Sequence, residues 1–259
     1  MERVLETIVE RSRPELEETK RHVPASELRR RIADAPPVRD FTDSLRKPGL
    51  RVIAELKAAS PSKGVIRQPL EVEALAAELE TAGAAALSVL TERNFFLGGL
   101  ENLERARKVT TLPLLRKDFL YDEYQLLEAR AAGADAVLLI AAMLTEAEFR
   151  NLHACAESLG LAVLCEAHTR EELEMLASNG ARIIGINARN LSTFDTSLDR
   201  VAELIQRVPE GCIAVGESAI RERADLLRLH ELGAQAFLIG ETLMRAPSPG
   251  RKLCELLSK

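Results

Sequence analysis

A Gly-Ala pair recurs along the chain, each time between an amphipathic helical pattern and a short apolar run. The glycines are Gly83, Gly133, Gly180 and Gly233, so the spacings are 50, 47 and 53 residues. Glycine readily adopts the left-handed backbone that ends a helix, and apolar runs without alternation are typical of strands buried on both faces. Each pair therefore predicts a turn from a helix into a parallel strand.

Four further strand candidates lie between these runs and complete a series of eight. The eight predicted strands are, in chain order, Val52 to Lys57, Ala85 to Leu90, Pro113 to Lys117, Ala136 to Ile140, Leu161 to Glu166, Arg182 to Ile186, Ile213 to Glu217 and Ala236 to Ile239. Helical patterns separate them, and such alternation over 259 residues is typical of one closed (βα)8 barrel, the TIM barrel. An open, doubly wound sheet is the alternative.

Residues 1–48 do not follow this repeat. They are rich in charge, as in Arg29 to Arg31, and they end in Pro36-Pro37 and Pro48-Gly49. We expect an N-terminal helical extension that packs over a barrel end, with a loosely ordered arm as the alternative. Residues 49–259 would form the catalytic barrel, which makes a single domain overall.

Composition excludes several classes of function. A net charge of −5 argues against a nucleic-acid partner, and the longest apolar stretch, Ala136 to Leu144, is too short to span a bilayer. No secretory signal is visible, so we expect a cytoplasmic protein. The cysteines Cys155, Cys165, Cys212 and Cys254 lack metal-ligand spacing, which predicts reduced core thiols and no metal site. The sequence does not determine the oligomeric state, which is either a monomer or a homodimer.

Charged residues occur at strand positions that should point into the barrel. In the first strand, Glu55 and Lys57 alternate with an apolar set that must pack against helices. The same alternation turns further polar residues inward at strand ends, namely Lys117, Glu166, Asn187 and Glu217. TIM-barrel active sites lie at this end of the strands. Two lysines and three carboxylates predict an acid–base site, although Glu55 and Lys57 alone could be a structural ion pair.

Loops at the same predicted end carry groups that bind anions. Ser60 to Gly64 follows the first strand and offers hydroxyls, a lysine and flexible backbone. Ser218 and Ala219 follow the seventh strand, and Gly240 to Thr242 follow the eighth. Loops after the last two strands commonly bind phosphate in TIM barrels, so we expect a phosphorylated small molecule as substrate. Taken alone, Ser60 to Gly64 could be a plain surface turn.

These motifs, taken in order, closely resemble indole-3-glycerol phosphate synthase. The resemblance rests on the segments Glu55 to Gly64, Leu114 to Phe119, Ile186 to Leu191 and Gly216 to Ser218, and it runs from about Pro36 to Arg245. Leu90-Thr91-Glu92, Phe96 and Glu166 fit it as well.

The resemblance implies an enzyme of tryptophan biosynthesis that needs no cofactor or metal. It would close the indole ring of 1-(2-carboxyphenylamino)-1-deoxyribulose 5-phosphate with loss of carbon dioxide and water. Lys117 would be the general acid, Lys57 and Glu166 would transfer protons in the dehydration, and Glu55 would orient Lys57. The implied substrate-binding residues are Phe96, Asn187, Arg189, Glu217 and Ser218, and the implied phosphate-binding residues are Ser60, Ala219, Gly240 and Glu241.

The chain departs from the family pattern at a few positions. Ala219 stands where the family usually has glycine, Glu241 where it often has serine, and Ala188 where asparagine is frequent. Ala219 can still donate its backbone N–H, whereas the Glu241 carboxylate would repel a phosphate dianion. We therefore expect the Glu241 side chain to point away into solvent.

Other activities of the same fold remain as alternatives. A phosphoribosylanthranilate-type sugar-phosphate isomerase would pair a strand-one Cys or Asp with a strand-six Asp, which this chain lacks, since Cys165 is expected to face outward. A Schiff-base aldolase would use Lys117 or Lys57 as the imine-forming amine. A non-catalytic phosphometabolite-binding barrel is the alternative outside enzymes.

Overall fold

Eight parallel strands close into a barrel in the computed structural model, which describes residues 2–187 and 197–258. The strands are β1 Arg51–Leu56, β2 Ala86–Leu90, β3 Leu114–Lys117, β4 Ala136–Ile140, β5 Ala162–Ala167, β6 Ile183–Ile186, β7 Ile213–Gly216 and β8 Ala236–Ile239. Each strand pairs with the next, and Arg51 of β1 pairs with Ala236 of β8 to complete the ring. The predicted TIM barrel is confirmed, and the doubly wound alternative is wrong.

Helices connect the strands and extend the chain at both ends. They are α1 Glu2–His22, α2 Ala25–Ala33, α3 Phe41–Arg46, α4 Val72–Thr81, α5 Leu100–Val109, α6 Glu123–Ala131, α7 Glu146–Ser158, α8 Arg170–Ser178, α9 Leu198–Ile205, α10 Arg223–Glu231, α11 Glu241–Met244 and α12 Pro249–Leu257. A short hairpin pairs Ala59–Ser60 with Gly64–Val65 in the loop after β1.

The recurring glycines act as the sequence predicts. Gly83, Gly133, Gly180 and Gly233 have φ values of 94°, 90°, 89° and 111°, and each directly follows the last turn of a helix. A residue with a side chain is strained in this left-handed region. The glycines therefore stop α4, α6, α8 and α10 and direct the chain into β2, β4, β6 and β8.

Two apolar layers form the core. The outer layer lies between strands and helices and contains Val52, Ala54 and Cys165, and the inner layer fills the barrel with residues such as Ile53 and Leu164. The alternation in the sequence is thus confirmed, including the outward direction of Cys165. All four cysteines are free thiols, but Cys254 is exposed, so the expectation that all of them are core residues is wrong.

Three helices precede β1, and together they contact both ends of the barrel. Phe41 and Leu45 of α3 are buried in the inner layer with Ile53, and they close the lower end of the barrel. Leu28 of α2 packs against Tyr124 of α6 on the side of the barrel. Leu5 and Ile8 of α1 line the cavity at the opposite end of the barrel. No described helix is both long and apolar enough to cross a membrane.

Candidate active site

A cavity of about 460 Å³ opens at the carboxyl ends of the strands. Most of the side chains expected at the site line it, namely Glu55, Lys57, Phe96, Lys117, Glu166, Asn187, Glu217, Ser218, Ala219, Gly240 and Glu241. Ser60 is buried in the adjacent hairpin and does not line the cavity, whereas Pro61 and Lys63 of the same loop do. Arg189 lies outside the described residues. The period-two alternation therefore brings the predicted acid–base groups together.

Glu55 and Lys57 form an ion pair at the end of β1. Lys57 Nζ donates to Glu55 Oε1 at 2.5 Å, and the two side chains are 13% and 3% exposed. Gly240, at the end of β8, leaves the space for this pair, because a Cβ at that position would overlap the Glu55 carboxylate and lie 3.0 Å from Lys57 Nζ. The structure thus gives Gly240 a steric reason that is independent of phosphate binding.

Lys117 lies between two carboxylates at the centre of the cavity. Its Nζ is 3.0 Å from Glu166 Oε2 and 3.5 Å from Glu217 Oε2. Burial alone would lower the pKa of Lys117, but the negative charges of Glu166, Glu217 and Glu55 outweigh it and raise that pKa above its ordinary value. The Lys117 amine is therefore a cation at neutral pH and a hydrogen-bond donor aimed into the cavity.

The pKa values of Glu166 and Glu217 are shifted in opposite directions although the two residues are neighbours. Burial would raise the pKa of Glu166, yet the charge of Lys117 outweighs burial and holds that pKa well below its usual range. For Glu217, burial and the charge of Glu166 together raise the pKa well above its usual range, and only Lys117 opposes them. The surroundings therefore favour the ionised form of Glu166 and the protonated form of Glu217, a combination that suits proton transfer.

Small and polar neighbours fix these carboxylates. Asn187 Nδ2 donates to Glu166 Oε1 at 3.1 Å. Gly185 of β6 is a glycine because a Cβ there would overlap Glu217 Oε1. The Glu217 side chain is only 1% exposed, and neither of its oxygens has a hydrogen-bond partner within the part of the chain that the structure describes. Glu217 lines the cavity beside Lys117 and Glu166.

An apolar wall faces the charged groups. The rings of Phe96 and Phe119 lie 5.9 Å apart at an interplanar angle of 44°, and Leu5 and Ile8 of α1 close the cavity beside them. Buried Glu92 holds the loop that carries Phe96, because its carboxylate accepts from the backbone N–H of Asn94, Phe95 and Phe96 at 2.9, 2.7 and 3.0 Å. The wall can accept a planar ring.

The opposite rim carries the groups expected to bind phosphate. Ser218 Oγ has no hydrogen-bond partner among the described residues, and Ala219 has a left-handed backbone with φ of 64°. The Glu241 side chain is 28% exposed and lines the cavity, where its carboxylate accepts from Arg245 Nε at 2.9 Å. The Glu241 carboxylate is thus paired with a cation at the rim, and its direction relative to a bound phosphate stays a prediction.

Several cavity residues are absent from the set predicted from the sequence, namely Leu5, Ile8, Phe119, His168 and Arg245. Phe119 carries a readable signal because it directly follows the Lys117-Asp118 motif, whereas His168 lies beyond the predicted end of its strand and continues the inward alternation of β5 only in the structure. Leu5 and Ile8 carry none, because only the packing of α1 brings them to the cavity. Among the described residues, no group of three or more His, Cys, Asp or Glu side chains is arranged to hold a metal ion.

A TIM barrel with this mouth is an acid–base enzyme for a small molecule. Its cavity combines Lys57 and Lys117 with the carboxyl groups of Glu55, Glu166 and Glu217, and it places an aromatic wall opposite the rim expected to bind an anion. These groups match a substrate that contains both a planar ring and a negative charge.

Comparisons with known proteins specify the enzyme further. The family model for indole-3-glycerol phosphate synthase matches residues 5–256. Proteins of that name from Koribacter versatilis (strain Ellin345) and Alkaliphilus metalliredigens (strain QYMF) are 48% and 46% identical, over 99% and 98% of this chain and 100% and 98% of theirs. The chain belongs to the indole-3-glycerol phosphate synthase family, the carboxy-lyases that form indole-3-glycerol phosphate in tryptophan biosynthesis. This membership sets aside the isomerase, aldolase and non-catalytic alternatives.

Solved structures of low identity share the fold. A thiamine phosphate pyrophosphorylase from Pyrococcus furiosus aligns with a TM-score of 0.59 at 18% identity, over 80% of this chain and 93% of its own. A mutant tryptophan synthase alpha-subunit from the same organism aligns with a TM-score of 0.63 at 15% identity, over 81% of this chain and 98% of its own. Both likenesses concern the barrel alone.

Proposed function

We propose that the cavity closes the indole ring of 1-(2-carboxyphenylamino)-1-deoxyribulose 5-phosphate, with Lys117 as the general acid. The observation that carries this assignment is the Lys117 ammonium, held 3.0 Å from Glu166 and 3.5 Å from Glu217 within the cavity that Phe96 and Phe119 line. A substrate ring against these phenylalanines would place the ketone of the sugar chain near the ammonium.

In the first step, the ring carbon that bears the carboxylate attacks the C2 ketone of the sugar chain. Lys117 donates a proton as the oxygen becomes an alkoxide, and this donation offsets the charge that develops in the transition state. The carbon–carboxylate bond then breaks, carbon dioxide leaves, and the electron pair returns to the ring. The apolar wall favours this loss, because the carboxylate gives up its charge in surroundings with little water.

Dehydration then completes the indole. Lys57 protonates the C2 hydroxyl, which leaves as water, and Glu166 accepts the proton from C1 as the new double bond forms. Glu55 holds Lys57 in place through their 2.5 Å contact and balances its charge. Because Lys57 is the acid and Glu166 is the base, no single residue has to act as both in the same step.

Binding groups surround these acids and bases. Phe96 would pack on the anthranilate ring, while Asn187 and Glu217 would hold the hydroxyls of the sugar chain. Ser218, the backbone N–H groups of Ala219 and Gly240, and the hairpin of Ser60 would hold the phosphate. We keep Arg189 as a substrate-binding residue on the strength of the family motif alone.

The test is an absorbance assay for indole formation from the anthranilate-derived ribulose phosphate. Wild type should give the indole signal, and Lys117→Met should lower kcat by about 10²–10⁴-fold, the usual contribution of a positioned acid. Lys108→Met is the matched control, because Lys108 is exposed on α5 and does not line the cavity. Absence of a signal from wild type would refute the activity. A wild-type rate in Lys117→Met would refute the assigned role.

We also propose the setting in which the enzyme works. A biosynthetic role and a net charge of −5 support a cytoplasmic protein that binds a phosphorylated metabolite and no nucleic acid, as a monomer or homodimer. Sedimentation equilibrium would distinguish the two states. Retention on DNA at physiological salt would contradict the partner assignment.

A further inference from the structure

His168 is buried against the base of the cavity, beside the proposed proton acceptor. It directly follows β5, and its position two residues after Glu166 places both side chains on the inner face of the barrel. Its side chain is 4% exposed, its backbone N–H donates to Glu172 Oε2 at 2.6 Å, and its carbonyl accepts from Arg200 Nη2 at 3.4 Å. Contacts from α8 and α9 thus fix the backbone of His168.

The imidazole ring lies between two carboxylates. Its Nε2 is 3.3 Å from Glu166 Oε1, and its Nδ1 is 3.3 Å from Glu172 Oε2. A neutral imidazole carries only one proton, so one ring nitrogen would face a carboxylate with a lone pair. Neither ring nitrogen makes an aligned hydrogen bond to a described residue, so the two contacts are ion-pair contacts, and the doubly protonated imidazolium is the form that both carboxylates attract.

The electrostatics of the site agree with this geometry. Burial would lower the pKa of His168, but its contacts with Glu166 and Glu172 outweigh burial and raise that pKa to about 9. Glu166 in turn faces Lys117 from β3, Asn187 after β6 and Glu217 after β7, besides the ring of His168. The ring is thus the second cation next to Glu166.

We propose that His168 is a positioning residue for Glu166, and that it acts as an imidazolium which Glu172 holds in place. Lys117 contacts Glu166 Oε2, while His168 and Asn187 contact Oε1, so both oxygens are restrained and the carboxylate stays ionised next to Glu217. This role rests on the proposed function of Glu166 as the base of the dehydration. The acid–base residues predicted from the sequence do not include His168.

The protonation state can be measured without any catalysis. In protein labelled with nitrogen-15 at its four histidines, the ring-nitrogen NMR shifts of His168 should report an imidazolium through pH 8, and Glu172→Gln should lower its pKa by about one unit. His153 is the internal control. It is buried on α7, where burial lowers its pKa more than nearby Glu157 raises it, so it should be neutral at pH 7.5. A neutral His168 ring at pH 7 would overturn the proposal.

The kinetic test uses His168→Asn, which keeps a polar side chain and removes the charge. Loss of a cation 3.3 Å from Glu166 should move the acid limb of the kcat–pH profile upward by about one unit, while KM stays within about twofold. A purely structural residue would lower kcat equally at every pH, and a profile parallel to that of wild type would refute the positioning role. If wild type makes no indole, the proposed function fails, but the NMR result still decides the charge of His168.

Discussion

Replacement of Ala219 by glycine should stabilise the protein. Ala219 has φ of 64°, a left-handed conformation that places a Cβ too close to the backbone, and it follows β7 at the rim of the cavity. Glycine adopts this conformation without strain, whereas alanine does not. The side chain is a single methyl group in a half-buried residue, so its removal sacrifices little packing.

Two opposing contributions set the size of the effect. Relief of the left-handed strain contributes about 1–2 kcal/mol to the folded state. Glycine also gives the unfolded chain more freedom, which costs about 0.4–1 kcal/mol. The net gain is therefore about 1 kcal/mol in the free energy of unfolding, or a rise in Tm of about 2–4 °C for a chain of this size.

Urea unfolding of Ala219→Gly and Ala82→Gly, followed by circular dichroism, would check this reasoning. Ala82 ends α4 with φ of −75°, an ordinary conformation for alanine, so the same change there removes no strain. We expect the midpoint to rise for Ala219→Gly and to fall for Ala82→Gly, by about 0.5–1 kcal/mol in the latter. If both variants lose stability, the strain argument is refuted.

Further predictions concern the base of the site, the aromatic wall, the lower end of the barrel and pH. Gly240→Ala should displace the Glu55 carboxylate and lower kcat by at least about tenfold, because a small misplacement of reacting groups is costly; an unchanged kcat would show that the space is not needed. Glu92→Gln should weaken binding of indole-3-glycerol phosphate, measured by calorimetry, but leave the affinity for ribulose 5-phosphate unchanged, since Glu92 orders the loop of Phe96. Equal losses for both ligands would contradict this. Leu45→Ala at the fully buried lower end should cost about 2–5 kcal/mol of unfolding free energy with kcat/KM preserved, and a loss of only a few tenths of a kcal/mol would mean that α3 does not seal the barrel. Because the folded-state pKa of His168 is raised to about 9, its contribution to stability should be complete below pH 6.5 and lost as the pH rises to 9; wild type should lose more stability over this range than His168→Asn, and parallel curves would exclude the contribution.

The strand pattern determines much of the site but not its contacts. Glu55, Lys57, Lys117 and Glu166 could be assigned to the barrel interior, because a two-residue period divides each strand into an outer apolar and an inner polar face. The sequence does not show that Lys117 lies between Glu166 and Glu217, since that contact depends on how closure of the barrel staggers strands distant in sequence.

Residues outside the strands are harder to place. His168 follows the predicted end of its strand, and its alternation with Glu166 becomes meaningful only once β5 is seen to extend to Ala167. Leu5 and Ile8 look like any apolar stripe on an amphipathic helix, because only tertiary packing decides that α1 crosses the mouth. Cys254 shows the converse, because it is an apolar residue type on the exposed face of α12.

The contact between α2 and α6 affects how the protein is made on the ribosome. The Tyr124 hydroxyl donates to the carbonyl of Val23, which precedes it by 101 residues, and Leu28 is buried in the same cluster. At a synthesis rate of about 5–20 residues per second, Tyr124 of α6 is translated about 5–20 s after the start of α2. The helix α2 therefore emerges before α6, and its apolar face lacks its native cover during that interval.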